Sequence, residues 1–328
     1  MVEAESVQVA VRVRPFNQRE IDMGAKCCVD MKNNQTIIQD LSNPDGRDGG
    51  EKVFTFDYSF WSHDGFVEKE NGYCEKDSEE SRFADQQHVY DALGTQVLNN
   101  AWAGYHCCLF AYGQTGSGKS YSMVGYGENK GIVPIAYDEI FRRIDSNQDE
   151  NLSYEIMVSM LEIYNEVVQD LLVHPNKRPK GGLDIREAKN KSIYVKDLKT
   201  FPVDSYKAIE DVVKVGTSNR TIGSTMMNAT SSRAHTVITI EFTQVSKVGE
   251  KKGKKCSVIN LVDLAGSEKV AHTGATGDRF KEGCMINVSL SALGRVIEKL
   301  AEKSGGGKVA VPYRDSKLKK NLKNISGT

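Results

Sequence analysis

The segment that most restricts this chain is an apolar run that ends in a glycine-rich turn. YHCCLFAYG (105–113) reads as a buried strand, and Gly113-Gln114-Thr115-Gly116-Ser117-Gly118-Lys119-Ser120 continues from it. The turn matches G-x-x-x-x-G-K-[ST] at every fixed position. Its glycines let backbone N–H groups curl around phosphate oxygens. Lys119 can reach the β- and γ-phosphates of a nucleotide, and Ser120 can place its hydroxyl on Mg²⁺. A helix starting here aims its positive end at the same anion. The plainer alternative is a flexible Gly/Ser turn with an incidental lysine. The order strand, cradle, helix argues against it.

The remaining pattern supplies the layers. Apolar and polar residues alternate over Val7–Val13, which predicts a strand ended by Arg14-Pro15, and again over VFTFDYSF (53–60). NPDGRDGGEK (43–52) reads as a turn-rich loop, and the polar, acidic 62–82 as an exposed insertion. Helical periodicity covers 84–103, through Val89, Leu93, Val97, Leu98 and Trp102. Further strands are expected at 153–163, 183–187, 193–196, 236–245 and 256–262. Helices are expected at 134–145, 164–172, 204–216, 282–302 and 313–324. Interleaved strands and helices favour a single α/β domain, with a mixed central sheet covered on both faces.

A second phosphate-handling element is expected at the end of another buried strand. SVINLVDLAGSE (257–268) provides it. Asp263 follows the apolar run and can hold Mg²⁺ through water. Gly266 offers an N–H to a terminal phosphate. Between the two motifs lies NATSSRAH (228–235), rich in hydroxyls, where Arg233 could pair with Glu268 when the loops close on a γ-phosphate. Asn228-Ala-Thr230 also matches the N-glycosylation acceptor pattern. That tripeptide recurs at Asn34, Asn151, Asn190, Asn219, Asn287 and Asn324, so it carries no information here.

Bulk properties narrow the class. The chain has 328 residues, 39% of them hydrophobic and 27% charged, which is ordinary for a globular protein. No apolar run approaches ~18 residues, so no membrane span is expected, and the first residues do not read as a secretory signal. The seven cysteines form no Cys-x-x-Cys pair and are expected to be reduced thiols of a cytoplasmic protein.

Taken together, these motifs resemble the kinesin motor family. FAYGQTGSGKS resembles its P-loop, Asn228-x-x-Ser231-Ser232-Arg233-x-His235 its first switch, and LVDLAGSE its second switch. VPYRDSKL (311–318) is similar to its microtubule-facing segment. The similarity runs from about residue 6 to the end, with LEIYNE (161–166) and SLSALG (289–294) between the motifs. WSHD (61–64) and SYSMVGYG (120–127) are most similar to the third kinesin subfamily, which hauls organelles and vesicles toward microtubule plus ends. The resemblance implies a P-loop NTPase fold with an eight-stranded type of mixed sheet, binding ATP or ADP with Mg²⁺. It implies that Arg12, Arg14 and Pro15 meet the adenine, with Tyr121 stacked on the base. Ser120 and Ser232 would coordinate Mg²⁺, with Asp263 behind them. Ser231 and the Arg233–Glu268 pair would order the attacking water, and the Gly266 N–H would report the γ-phosphate. Family motors also continue with a further strand, a helix and a neck linker, so residues 1–328 read as a motor domain that stops before them, with cargo bound through regions outside it.

The last third is basic. Between 279 and 323 the charge balance is +7, against −1 for the whole chain. Such asymmetry suits docking on an acidic polymer. Nucleic acid and tubulin fit this electrostatically, and the resemblance selects the microtubule. Arg279, Lys281, Arg295, Lys299, Lys303, Arg314 and Lys317 are the expected contacts. Ala234 stands where the family has a serine, and Val288 where it has a lysine. A nucleotide-binding microtubule adaptor that does not hydrolyse is the alternative function. A regulatory GTPase is disfavoured because no Asn/Thr-Lys-x-Asp motif is present.

Overall fold

Residues 7–42, 50–189, 192–226, 231–248, 251–268, 278–304, 309–312 and 316–322 are described by the structure, a computed structural model. The chain divides into two units, Met1–Val89 with Gly125–Lys130, and Tyr90–Val124 with Gly131–Thr328. Most of the loop expected over 43–52 lies outside the described residues.

In the first unit, strand β1 (Ala10–Val13) leads to helix α1 (Gln18–Asp22). A capping box fixes the start of α1. Asn17 Oδ1 accepts from the Glu20 N–H at 2.9 Å, and Glu20 Oε2 accepts from the Asn17 N–H at 2.8 Å. Strands β2 (Val29–Lys32), β3 (Gln35–Gln39) and β4 (Glu51–Thr55) form an antiparallel sheet. The single strand expected over 53–60 is divided. β4 stops at Thr55, and β5 (Tyr58–Trp61) pairs parallel with β1. The break falls at Asp57, which exchanges two hydrogen bonds with Val9 and so changes the chain's partner. The acidic insertion is ordered as a hairpin of β6 (Phe66–Glu68) and β7 (Cys74–Lys76), followed by α2 (Gln86–Val89).

The second unit starts with a π-helical turn, Tyr90–Gly94, and α3 (Thr95–Ala103), so the helix expected over 84–103 is broken. Any Cβ on Gly94 would strike the Tyr90 ring, which explains the glycine there. β8 (Cys107–Ala111) runs through the glycine-rich turn into α4 (Lys119–Met123). The chain visits the first unit for β9 (Gly125–Tyr126) and β10 (Asn129–Lys130), then returns as α5 (Ile132–Asp145). There follow β11 (Leu152–Tyr164), β12 (Val167–Asp170), a hairpin of β13 (Ile185–Glu187) and β14 (Ile193–Val195), and β15 (Phe201–Pro202). The chain ends with α6 (Tyr206–Met226), β16 (His235–Val248), β17 (Lys251–Asp263), α7 (Asp278–Ser304) and α8 (Lys317–Leu322).

The central sheet is mixed, in the order β12-β11-β16-β17-β8, with β15 also on β11. Every pairing is antiparallel except β17 with β8. Among the described residues it has six strands where the resemblance implies eight, and the β1–β5 ladder is a separate pair within the first unit. Side-chain alternation explains the layers. Leu161, Ile163, Val237 and Val262 point to one face, where they bury Leu290 and Leu293 of α7 and Leu318 of α8. Val158, Met160, Ile240 and Phe242 point to the other. There Phe242 packs on Trp102 of α3 with ring centroids 4.3 Å apart, and Met160 lies against Gly216 of α6.

The helix expected at 164–172 is a strand, and this corrects the sequence pattern. Asn165 (φ 49°) and Glu166 (φ 56°) are both left-handed, and Tyr164 pairs with Val167. Two left-handed residues make the tight hairpin turn that matches strand twist, so the apolar stretch after them folds back as β12.

α6 is held to β11 by an ion pair removed from solvent. Arg220 Nε lies 3.3 Å from Glu162 Oε2, with the two side chains 18% and 15% exposed. Burial pushes the Glu162 carboxyl up, and Arg220 opposes that shift. Arg220→Met should cost about 3 kcal/mol, because it leaves Glu162 buried without this partner. Urea unfolding of that variant, and of the same variant carrying Glu162→Leu, checks this: the double variant should regain more than half of the loss.

Candidate active site

The sheet brings three loops to one end. β8 and β17 are parallel, with Ala111 opposite Asp263, so the glycine-rich turn and the Asp263–Glu268 loop leave side by side. β16 is antiparallel to β17, with Thr236 opposite Asp263, so the serine-rich loop enters at the same end. Gly116 (φ 79°) and Gly118 (φ 93°) adopt the left-handed backbone that the cradle requires, and Gly118 caps α4.

Polar contacts join the loops. Ser120 Oγ donates to Asp263 Oδ2 at 2.5 Å. The other oxygen of Asp263, Oδ1, is buried and has no hydrogen-bond partner among the described residues, as is true of Ser117 Oγ. A buried carboxylate oxygen left unpaired beside a hydroxyl is a donor set suited to a hard divalent cation such as Mg²⁺. Lys119 Nζ donates to the carbonyls of Gly113 (2.8 Å) and Gln114 (2.9 Å). Burial holds its ammonium below the usual lysine range, while Asp263 and Glu268 pull the other way.

Glu268, expected to partner Arg233, accepts here from the Thr115 N–H (2.8 Å) and Thr115 Oγ1 (2.5 Å). Burial raises its carboxyl, but the Thr115 bonds and the Lys119 charge outweigh burial and leave it below the usual range. The Gly266 N–H donates to the Ser232 carbonyl at 2.8 Å, and Ser267 N–H to the Gly113 carbonyl at 3.1 Å. Ser231, Ser232 and Arg233 form one 3-10 turn, while Asn228–Thr230 lie outside the described residues. Tyr121 lies on α4.

Other expected site residues are placed elsewhere. Arg12, Arg14 and Pro15 belong to the first unit. The Arg12 guanidinium donates to Ser62, Gln86 and the Ala84 carbonyl, and Arg14 pairs with Glu20 at 2.7 Å. On α7, Arg295 is exposed and Lys299 pairs with Glu302 at 2.7 Å. The backbone of Arg279, Lys281 and Lys303 lies in α7, and Arg314 lies outside the described residues. The Lys317 N–H is held by Glu166 Oε2 at 2.9 Å, which fixes the start of α8 to the β11–β12 turn.

With this geometry in place, comparison with known proteins decides the family. The kinesin motor domain model matches residues 12–327. The chain belongs to the kinesin motor domain family. Its relatives include kinesin-related protein 1 of Dictyostelium discoideum, 50% identical over 98% of this chain and 14% of that protein. Mouse KIF28 is 46% identical over 99% of this chain and 31% of its own length. Human KIF1C, a member of the third kinesin subfamily, is 46% identical over 98% and 28%. The chain therefore spans less than a third of these relatives. Among solved structures, KIF14 residues 391–755, with ADP and in complex with a microtubule, superposes with a TM-score of 0.82. It is 37% identical, covering 97% of this chain and 85% of that one. The kinesin motor fold, the mixed sheet with helices on both faces and the likeness to the third subfamily agree with the sequence pattern. No described helix is long and apolar enough to cross a membrane.

Three residues of this kinesin motor domain matter more than their sequence context suggests: Thr115, His235 and Ser289. His235, the first residue of β16, is 2% exposed. Its Nδ1 accepts from the Ala265 N–H at 3.0 Å, so Nε2 must carry the ring proton, and that nitrogen meets Ser289 Oγ at 2.8 Å. A polar residue on the apolar stripe of a helix, as Ser289 is beside Leu290 and Leu293, was the available sign.

Burial disfavours the imidazolium and lowers the His235 pKa to about 4. Between that value and its unfolded value near 6.5, the unfolded chain takes up a proton that the folded chain refuses. The contribution is complete above about pH 6.5 and is lost as the pH falls toward 4, to a total of about 3 kcal/mol. Unfolding titrations at pH 4.5 and 7 should show this loss. In His235→Gln, weaker overall, the pH-dependent part should shrink.

Proposed function

We propose that this chain is the catalytic part of a microtubule-stimulated ATP hydrolase that couples turnover to microtubule binding and plus-end-directed transport. The observation that carries the reading is the meeting of the glycine-rich turn, the Ser231–Arg233 turn and the Asp263–Glu268 loop at one sheet end, with Ser120 bonded to Asp263. In this reading the backbone of Gly113–Gly118 and Lys119 hold the phosphates of ATP or ADP. Ser120 and Ser232 would hold Mg²⁺, with Asp263 behind them and its Oδ1 still able to accept a hydrogen bond. The cation would neutralise charge on the β- and γ-phosphates.

The chain's own groups do the rest by position. Glu268 exchanges Thr115 for Arg233, and the Gly266 N–H exchanges the Ser232 carbonyl for the γ-phosphate. Ser231 and the closed Arg233–Glu268 pair then orient the attacking water. Both exchanges break hydrogen bonds present here and make others, which is how a loop acquires two discrete states. Arg12, Arg14, Pro15 and Tyr121 are the proposed base contacts. Arg279, Lys281, Arg295, Lys299, Lys303, Arg314 and Lys317 are the proposed track contacts, which places the chain on the microtubule cytoskeleton of the cytoplasm. Val288 is exposed on α7 and removes one cation from that face, whereas Ala234 is buried. Cargo would be bound by other segments, since the relatives are far longer.

Steady-state ATP turnover with and without microtubules tests the reading. Stimulation of at least about tenfold is expected, and turnover indifferent to microtubules would sink it. Gly266→Ala places a Cβ against the Glu268 carboxylate and Thr115 Oγ1, so stimulated turnover should fall about 100-fold. Arg295→Glu combined with Lys317→Glu should raise the half-saturating microtubule concentration about fivefold or more, measured by co-sedimentation at two salt concentrations.

A further inference from the structure

We propose that the His235–Ser289 pair is the link through which the phosphate loops set the position of helix α7, making both positioning residues for microtubule-stimulated turnover. The proposal rests on the motor reading above and adds the atoms that carry its regulation.

One buried ring joins three elements. His235 follows directly on the turn that holds Ser232 and Arg233. Its Nδ1 receives the N–H of Ala265, the residue before Gly266. Its Nε2 reaches Ser289 on α7, 54 residues away in sequence. α7 spans Asp278–Ser304 and presents Arg295 at the surface. A displacement at the phosphate end therefore reaches the helix that presents Arg295 through two hydrogen bonds and one rigid ring.

The two bonds are not independent. A neutral imidazole has one donor and one acceptor, so accepting at Nδ1 obliges it to donate at Nε2. When the Gly266 N–H leaves the Ser232 carbonyl, the Ala265–Gly266 segment moves. The ring must then follow Ala265 or give up that bond, and either event changes what Ser289 receives. Burial makes a lost bond costly, so the ring and α7 shift together.

The pair borders both the apolar core and a small recess. Ile163 of β11 lies opposite His235 in register, and Ile163, Val237 and Leu264 belong to one buried apolar cluster. A recess of about 10 Å³ is lined by Ile163, Glu166, Arg233, Met285 and the His235–Ser289 pair. That is about the space of one water. The pair touches α7 directly, whereas the start of α8 is held by Glu166 through the Lys317 N–H.

The test is Ser289→Ala in the full chain, with Ser289→Thr as the conservative partner. Microtubule affinity is measured with ADP and with AMP-PNP, and turnover with and without microtubules. In Ser289→Ala the ratio of the two affinities should collapse toward one, and stimulation should fall about tenfold, while half-saturating ATP stays within about twofold. Ser289→Thr, which keeps the hydroxyl, should restore both. A lost bond that only weakened the fold would lower the melting temperature without erasing the nucleotide dependence. Ser289→Ala with wild-type stimulation and wild-type nucleotide dependence overturns the link and leaves the motor reading standing. An unaltered chain that microtubules do not stimulate overturns the motor reading and the link with it. Should Ser289→Ala fail to fold, the nitrogen-15 resonances of the His235 ring in the unaltered chain decide. A shift at Nε2 between ADP and AMP-PNP supports the link, and identical spectra overturn it.

Discussion

The register of two parallel strands governs this molecule. Because Ala111 lies opposite Asp263, the glycine-rich turn after β8 and the acidic loop after β17 emerge together. A parallel pair always delivers its carboxyl ends to the same side of a sheet, and an antiparallel neighbour delivers its amino end there. Thus β16 begins, at His235, beside the place where β17 ends. A shift of either pairing by one residue would turn Asp263 away from Ser120 and move its neighbours to the wrong face. Burial on both faces of these strands, by α7 and α8 on one and by α3 and α6 on the other, makes such a slip expensive.

On that frame the loops hold one another through polar contacts. Glu268 satisfies Thr115, Gly266 satisfies Ser232, and Lys119 satisfies carbonyls of its own turn. Asp263 Oδ1 and Ser117 Oγ stay buried and unpaired. Buried polar atoms without partners are rare because each forfeits a hydrogen bond to water. These two, on the glycine-rich turn and on the acidic strand end beside it, are groups that a bound nucleotide and its cation would satisfy. His235 is the opposite case. It is fully satisfied, neutral and deeply buried, and it has the rigidity that a lever needs.

Much of this was legible beforehand. The cradle was visible because its chemistry demands glycine, lysine and a hydroxyl at fixed spacing. Strands such as Leu152–Tyr164 and Cys107–Ala111 were visible because burial on a sheet writes an apolar run. The stretch after LEIY is ambiguous in sequence because VVQDLL carries apolar residues at both strand and helix spacing. Two left-handed residues, Asn165 and Glu166, settled it. The break at Asp57 was hidden because it depends on Val9, 48 residues distant. Asn219, one of several glycosylation-pattern asparagines, is 8% exposed and donates to the Leu171 carbonyl, a role its tripeptide could not reveal.

By itself, the sequence determined the kinds of chemistry present: a phosphate cradle, an acid at a strand end, a hydroxyl-rich loop and a basic final third. Those follow from residue type and local spacing, which a linear chain records directly. Tertiary structure alone decided which of these groups touch. That Glu268 lies on Thr115, that His235 bridges Ala265 and Ser289, and that Arg220 neutralises Glu162 are consequences of strand register and helix docking. Contacts between residues 30 to 153 positions apart are fixed by which surfaces the fold buries together, and local sequence carries no record of that choice.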